Sequence, residues 1–232
     1  MRKVLKRLYL GLQSAYGRHL VARDGFWFVD IPRTSSSSIR AELGRRFGRA
    51  HGKRGVTDAR HATPHLFRPH QPAKDMVALL GAPLWDHLFT FTVVRNPWDR
   101  TVSLYHYRQR VGSIPSSMPF RDYVLALANA SPTDDLFRYR GYRYGAADYV
   151  LSDQGEMLVD YIVRYENRSA GLRYVAARLD FPELGALAIQ GASPRRRHYT
   201  TYYDAETERI VGAFYRRDVE LFGYRFDRAP KG

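Results

Sequence analysis

The sequence predicts an α/β fold, a single domain with a central parallel sheet flanked by helices. Three observations lead there. Two runs, FWFVDI at 26–31 and LFTFTVV at 88–94, are aromatic or β-branched enough to read as strands. Each passes directly into a stretch with helical spacing, and such strand–helix alternation builds α/β sheets. The second run is nearly all apolar or β-branched, the pattern of a strand buried on both faces. At 232 residues the chain suits one domain, 1–232, with a core over about 26–226 and a basic extension at 1–20.

The elements follow in order. Residues 1–20 place Arg2, Lys3, Lys6 and Arg7 beside Val4, Leu5 and Leu8. They read as an amphipathic helix, either capping the domain or touching a membrane surface. FWFVDI enters the loop IPRTSSSS at 31–38. A helix then runs from about Ser37 to Phe47, because Ile39, Leu43 and Phe47 recur every four residues. Residues 48–73 are a long loop rich in Arg, His, Gly and Pro, and KDMVALLG at 74–81 is a short helix. After the second strand, RNPWDRTVSLYHYRQR at 95–110 is a helix capped by Asn96, with Pro97 in the first position. FRDYVLALAN at 120–129 is helical within an otherwise irregular 111–147. ADYVLSDQGEMLVDYIVRYEN at 147–167 reads as paired strands turning at Asp153, Gln154 and Gly155. A helix at about Ser169–Leu179, a basic loop SPRRRHYTTYYD at 193–204 and one closing helix at 205–224 complete the chain.

The composition narrows the function classes. The net charge of +14 implies an anionic partner. Nucleic acid, an acidic membrane, a phosphorylated cofactor and an acidic polymer all satisfy it. The absence of cysteine excludes disulfides, thiol catalysis and cysteine metal sites. No apolar stretch reaches 18 residues and no signal peptide is visible at the start, so a cytoplasmic location is expected, with membrane contact limited to the N-terminus.

The serine run is the first chemical clue. A helix N-terminus offers backbone N–H donors and the positive end of the helix dipole, so strand–loop–helix units make anion cradles. Here Thr34, Ser35, Ser36, Ser37 and Ser38 add hydroxyls, and Arg33 adds a planar charged fork suited to phosphate or sulfate. The plainer reading is a polar turn with a serine N-cap. The pattern G-x-x-x-x-G-K-[ST] is missing, so this is not a standard nucleotide triphosphatase loop. The second clue is VVRNPWDRTVSLYHY. Arg95 stands at a strand end and Ser103 eight residues on, with Asn96, Asp99 and Ser103 on one helix face. Arg95 and Ser103 would converge on one anion above the strand ends, where open α/β sheets bind ligands. The plainer reading is a capped helix whose arginine pairs with a carboxylate.

The two motifs in this order make the chain resemble the sulfotransferases that use 3′-phosphoadenosine 5′-phosphosulfate (PAPS), and among them the carbohydrate sulfotransferase-like group. IPRTSSSS stands where that family has a loop like IPKTGGTS. Arg95 and Ser103 match its R-N-P with a serine eight residues later. RYEN at 164–167 and HYTTYYDAETERIVGAFYRRDVELFGYRF at 198–226 match its late segments. The resemblance implies a P-loop, nucleotide-kinase-like sulfotransferase architecture. It assigns Arg33, Thr34, Ser35, Ser36, Ser37 and Ser38 to the 5′-phosphosulfate and Arg95 and Ser103 to the 3′-phosphate. A late basic loop would close over the 3′-phosphate, with Arg197 as its representative beside Arg195 and Arg196. Two departures stand out. Arg33 replaces the family's usual lysine, which keeps electrostatic stabilisation of the leaving oxygen but no proton donation. Ser35 and Ser36 replace the usual glycine.

Sulfuryl transfer to an alcohol needs a base, and histidine suits neutral pH. His61, His65 and His70 lie in the loop before the second strand, and His70 best matches the place where the family often has a histidine. The segment DDLFRYRGYRYG at 134–145 interleaves arginine and tyrosine, either as an acceptor groove or as a solvated basic loop. No metal is expected, because Arg33 and the loop donors can stabilise the charge on the bridging oxygen. The expected partners are PAPS and a hydroxylated acceptor, saccharide or glycolipid, and not nucleic acid. The rival readings are a non-enzymatic nucleic-acid binder, suggested by charge, and a phosphotransferase.

Overall fold

The computed structural model describes residues 15–48, 51, 69–130, 143–187 and 197–227. The helix α1 (15–24) leads into β1 (Phe26–Val29), α2 (Ser36–Phe47), α3 (Ala73–Leu80), α4 (Ala82–Trp85), β2 (Phe89–Val94), α5 (Pro97–Arg110) and α6 (Phe120–Asn129). Then come α7 (Ala147–Val150), β3 (Tyr161–Arg164), α8 (Arg168–Arg178), α9 (Pro182–Gly185), α10 (Ala205–Phe214) and α11 (Arg216–Phe222). These residues form two compact units interleaved along the chain. One is drawn from Met1–Ile31, Ser35–Val93 and Tyr149–Gln190, the other from Pro32–Thr34, Val94–Asp148 and Gly191–Gly232.

The first unit carries the predicted sheet. Its three strands lie parallel in the order β1-β2-β3, with Phe26 opposite Phe89 and Val29 opposite Thr92. Side chains alternate across a strand, so Phe26 and Phe28 share a face with Phe91 and Val93. That face buries Ile39 and Leu43 of α2, Leu172 and Val175 of α8, and Phe181 and Leu184. The four-residue spacing of Ile39 and Leu43 is what turns one stripe of α2 onto the sheet. Gly171 lets α8 approach β3 closely, since a Cβ there would lie 2.5 Å from Val163 Cγ1. Thr92 Oγ1 donates to the Val29 carbonyl at 2.7 Å, satisfying a buried hydroxyl beside the end of β1.

The second unit is helical. Asn96 caps α5 as expected, its side-chain oxygen accepting from Trp98 N–H at 3.1 Å, while its amide donates to the Arg225 carbonyl at 2.8 Å. Asp204 and Thr207 form a reciprocal capping box at the start of α10. Trp98 packs edge-on against Phe226, and Gly212 of α10 leaves room for its indole.

Two expectations are corrected. The segment 147–167 is not a hairpin. Ala147–Val150 is a helical turn, and pairing around the Ser152–Glu156 turn shrinks to a single antiparallel bridge, Leu151 with Met157. The buried Asp218 carboxylate explains this, because it accepts from the Ala146 and Ala147 N–H groups at 2.6 and 2.8 Å and holds them in a helix start. The alternation in the sequence survives only as β3. The closing helix, read as continuous over 205–224, breaks into α10 and α11 at Tyr215, which is buried with the Arg100 guanidinium 5.7 Å from its ring centroid. His61, His65, residues 1–14, most of the arginine–tyrosine segment, Arg195 and Arg196 lie outside the described residues.

Candidate active site

The loop after β1 is built by its neighbours. In the helical unit, Arg100 Nε donates to the Pro32 carbonyl at 3.1 Å and Arg95 Nη1 donates to the Arg33 carbonyl at 3.0 Å. Every described peptide bond is trans, so each N–H points opposite its carbonyl. The Arg33 and Thr34 N–H groups are therefore turned away from those arginines. Arg33 and Ser35 take left-handed backbone angles, φ 68° and 74°. Such angles cost non-glycine residues about 1–3 kcal/mol each and persist only where the surroundings impose them. Here Arg95 holds the Arg33 carbonyl, and Arg168 Nη1 donates to Ser35 Oγ at 2.5 Å.

Arg33, Arg95 and Ser103, singled out separately in the sequence, form one cluster. Arg33 Nε donates to Ser103 Oγ at 3.2 Å, and its guanidinium lies 4.7 Å from the Tyr107 ring centroid. Arg95 is 5% exposed and its Nε donates to Asp99 Oδ2 at 2.6 Å. The plainer reading of this motif is thus present too: Asn96 caps the helix and Arg95 pairs with a carboxylate. What it leaves out is the Arg95 bond to the loop backbone. Asp99, Ser103 and Tyr107 recur every fourth residue along α5, so they share one stripe. Sequence reasoning stopped at Ser103 and missed Tyr107, Arg100 and Arg168; the spacing alone could have found Tyr107.

The N-terminus of α2 belongs to the sheet unit. Ser35 occupies the N-cap position, yet its side chain makes no cap bond. The hydroxyl accepts from Arg168 instead. The first turn of α2 holds no acidic residue and the last turn holds Arg45 and Arg46. The start of α2 thus has neither a cap bond from Ser35 nor an acidic residue in its own first turn. Ser36 and Ser38 are buried, Ser37 is exposed and Thr34 is fully buried. Arg197 is exposed, and among the described residues no hydrogen bond or ion pair joins it to the Arg33 cluster. Glu166 lies exposed in the 3₁₀ turn Tyr165–Asn167.

His70, the candidate base, stands in the sheet unit against the end of β1. Its Nδ1 lies 3.1 Å from Asp30 Oδ1 and 3.0 Å from the Asp30 carbonyl. Asp30 is 3% exposed, and Arg40 Nη1 approaches its other oxygen at 3.4 Å. Both neighbours of Nδ1 are acceptors, so the neutral ring carries its proton on Nδ1 and its lone pair on Nε2. Burial pulls the His70 pKa down, but the Asp30 charge and the contacts of Nδ1 with the Asp30 carboxylate and carbonyl outweigh burial and the Arg40 charge, and the net shift is upward. Burial pushes the Asp30 carboxyl up, but the charge and hydrogen bond of His70, the Arg40 charge and the Ser36 hydroxyl leave it below the usual value. A second histidine, His51, is a core residue: it is buried, stacks on Phe26 and pairs with Asp24 at 3.1 Å.

The strand and helix that flank the serine run, and the R-N-P helix with its serine, are thus formed. No curated protein and no solved structure matches this chain. A sequence model described as "Sulfotransferase family" matches residues 22–225, which takes in β1, the loop, α5 and nearly all of the late segments. The chain belongs to the sulfotransferase family.

Proposed function

We propose that this sulfotransferase takes its sulfuryl group from PAPS and delivers it to a hydroxyl, on a carbohydrate. The observation that carries the reading is the N-cap serine that does not cap. Ser35 Oγ accepts from Arg168 instead of capping, which on this reading leaves the start of α2 to the anion. The residues present fit a phosphosulfate: two arginines fix the loop carbonyls, N–H groups face the other way, and Arg33 supplies a fixed charge. On this reading the Arg33–Ser38 loop holds the 5′-phosphosulfate. Arg95 and Ser103 hold the 3′-phosphate, and Arg197 approaches it from the late loop. When bound, the donor supplies a sulfuryl group whose bond to the bridging phosphate oxygen breaks as the acceptor oxygen bonds to sulfur, the bridging oxygen keeping the electron pair. Arg33 stabilises negative charge at the bridging position. It stays protonated throughout, so its contribution is electrostatic. His70 Nε2 takes the proton of the acceptor hydroxyl.

The expected ligand response separates this reading from a plain anion site. The desulfated nucleotide, 3′-phosphoadenosine 5′-phosphate, raises the melting temperature by mass action, and adenosine 5′-phosphate at the same concentration raises it much less. Thermal denaturation across a concentration series checks this. Equal shifts from the two nucleotides would remove the 3′-phosphate site.

A further inference from the structure

We propose that Asp30 is a positioning residue for transfer: its carboxylate, buried at the end of β1 between Arg40 and His70, orients the His70 ring and offsets the charge that ring gains when Nε2 takes the acceptor's proton. The inference rests on His70 being the base. What the structure adds is a device behind it. Asp30 is almost fully buried and Arg40, from α2, is 5% exposed, whereas the His70 side chain is 23% exposed. A buried carboxylate flanked by a buried cation and an accessible ring is costly to desolvate and is best explained by what it does to the ring. His70 also sits at φ 61°, a left-handed angle, where Nδ1 meets both the carboxylate and the carbonyl of one residue. The hydrogen bond to the Asp30 carbonyl, with the carboxylate 3.1 Å from the same nitrogen, restricts the orientation of the ring.

Asp30 and Arg40 both act on His70, and they oppose each other. Asp30 favours the imidazolium that forms as the acceptor loses its proton, and Arg40 limits that effect. Proton balance is simple: the hydroxyl proton ends on Nε2 and returns to solvent after turnover, while Nδ1 keeps its own proton throughout. Asp30 itself stays ionised. The motif could have been read from the strand: a single aspartate closes an otherwise apolar run, FWFVDI, immediately before the loop.

The test uses ¹⁵N-histidine-labelled full-length protein, with the His70 resonances identified by their loss in His70→Ala. In the wild type, His70 is expected to titrate above 6.5 and to hold the proton on Nδ1 in its neutral form. Asp30→Asn is expected to lower that titration midpoint. It should cut kcat about 10- to 100-fold, leave the KM for PAPS unchanged and move the acid limb of the pH–rate profile down with the midpoint. A merely structural role would not move the acid limb. If Asp30→Asn folds poorly, the wild-type titration decides alone. A wild-type His70 with its neutral-form proton on Nε2, or with a midpoint below 6.5, overturns the inference. An unchanged His70 titration in folded Asp30→Asn does the same. If the His70 signals behave as expected but His70→Ala turns over normally, the base assignment fails, and the pair is reduced to a structural one.

Discussion

His70→Ala lowers turnover by about 10²–10⁴-fold while sparing nucleotide affinity, the range for removal of a general base. The expectation follows from a separation of roles. On the proposed reading, the phosphates are held by the 33–38 loop and by α5, whereas His70 acts on the other substrate. His70 stands against the end of β1, its Nδ1 occupied by Asp30. The pH profile adds an independent signature. A base must be neutral to accept a proton, and Asp30 raises the His70 pKa, so the rate falls toward acid with a midpoint above 6.5. The stability contribution of the pair runs the other way. His70's share is fully present below its unfolded value and is lost as pH rises through its raised folded value. Asp30's share is present above its unfolded value and is lost as pH falls through its lowered one. Fast turnover thus occurs where part of that stabilisation has gone. His61→Ala and His65→Ala are the controls, measured by initial rates at saturating PAPS. A larger loss in either than in His70→Ala would move the base to that residue.

Arg33→Ala cuts kcat by about a hundredfold or more, as removal of one oxyanion donor does. Truncation leaves the loop backbone its supports, because Arg95 and Arg100 hold the carbonyls of residues 33 and 32 and not the Arg33 side chain. The loss should therefore appear in kcat with the fold intact. Arg33→Lys retains much of the activity, since it keeps a cation where the family usually has lysine. It gives up the Nε bond to Ser103 and the planar stack on Tyr107. A lysine variant that binds the nucleotide normally but is inactive would mean that transfer depends on the guanidinium fork itself.

Much of this was legible in the sequence because it was local. The parallel strands follow from two apolar runs, and α2 and α5 from their spacing and from Asn96 and Pro97. The cluster of Arg33, Arg95 and Ser103 was legible as two separate motifs. What joins them was not. Arg33 reaches Ser103 across 70 positions, and Arg95 and Arg100 reach the carbonyls of Arg33 and Pro32 across 62 and 68. No periodicity reports such partners. The failed hairpin has the same origin: Asp218 captures the Ala146 and Ala147 amides from more than 70 positions away, overriding local alternation. A serine N-cap was one reading of the run, with the helix starting at about Ser37; the helix starts at Ser36, and Ser35 at the N-cap position makes no cap bond because its hydroxyl accepts from Arg168.

The central claim, sulfuryl transfer from PAPS to a hydroxyl, is tested most directly by following the label. The protein is incubated with ³⁵S-PAPS and a panel of polysaccharides, glycolipids and small alcohols, and both labelled product and released 3′-phosphoadenosine 5′-phosphate are measured. The account predicts label on a saccharide hydroxyl, nucleotide release in equal amount, and loss of both in Arg33→Ala. Tight binding of PAPS with no label transferred to any hydroxylated acceptor would contradict it.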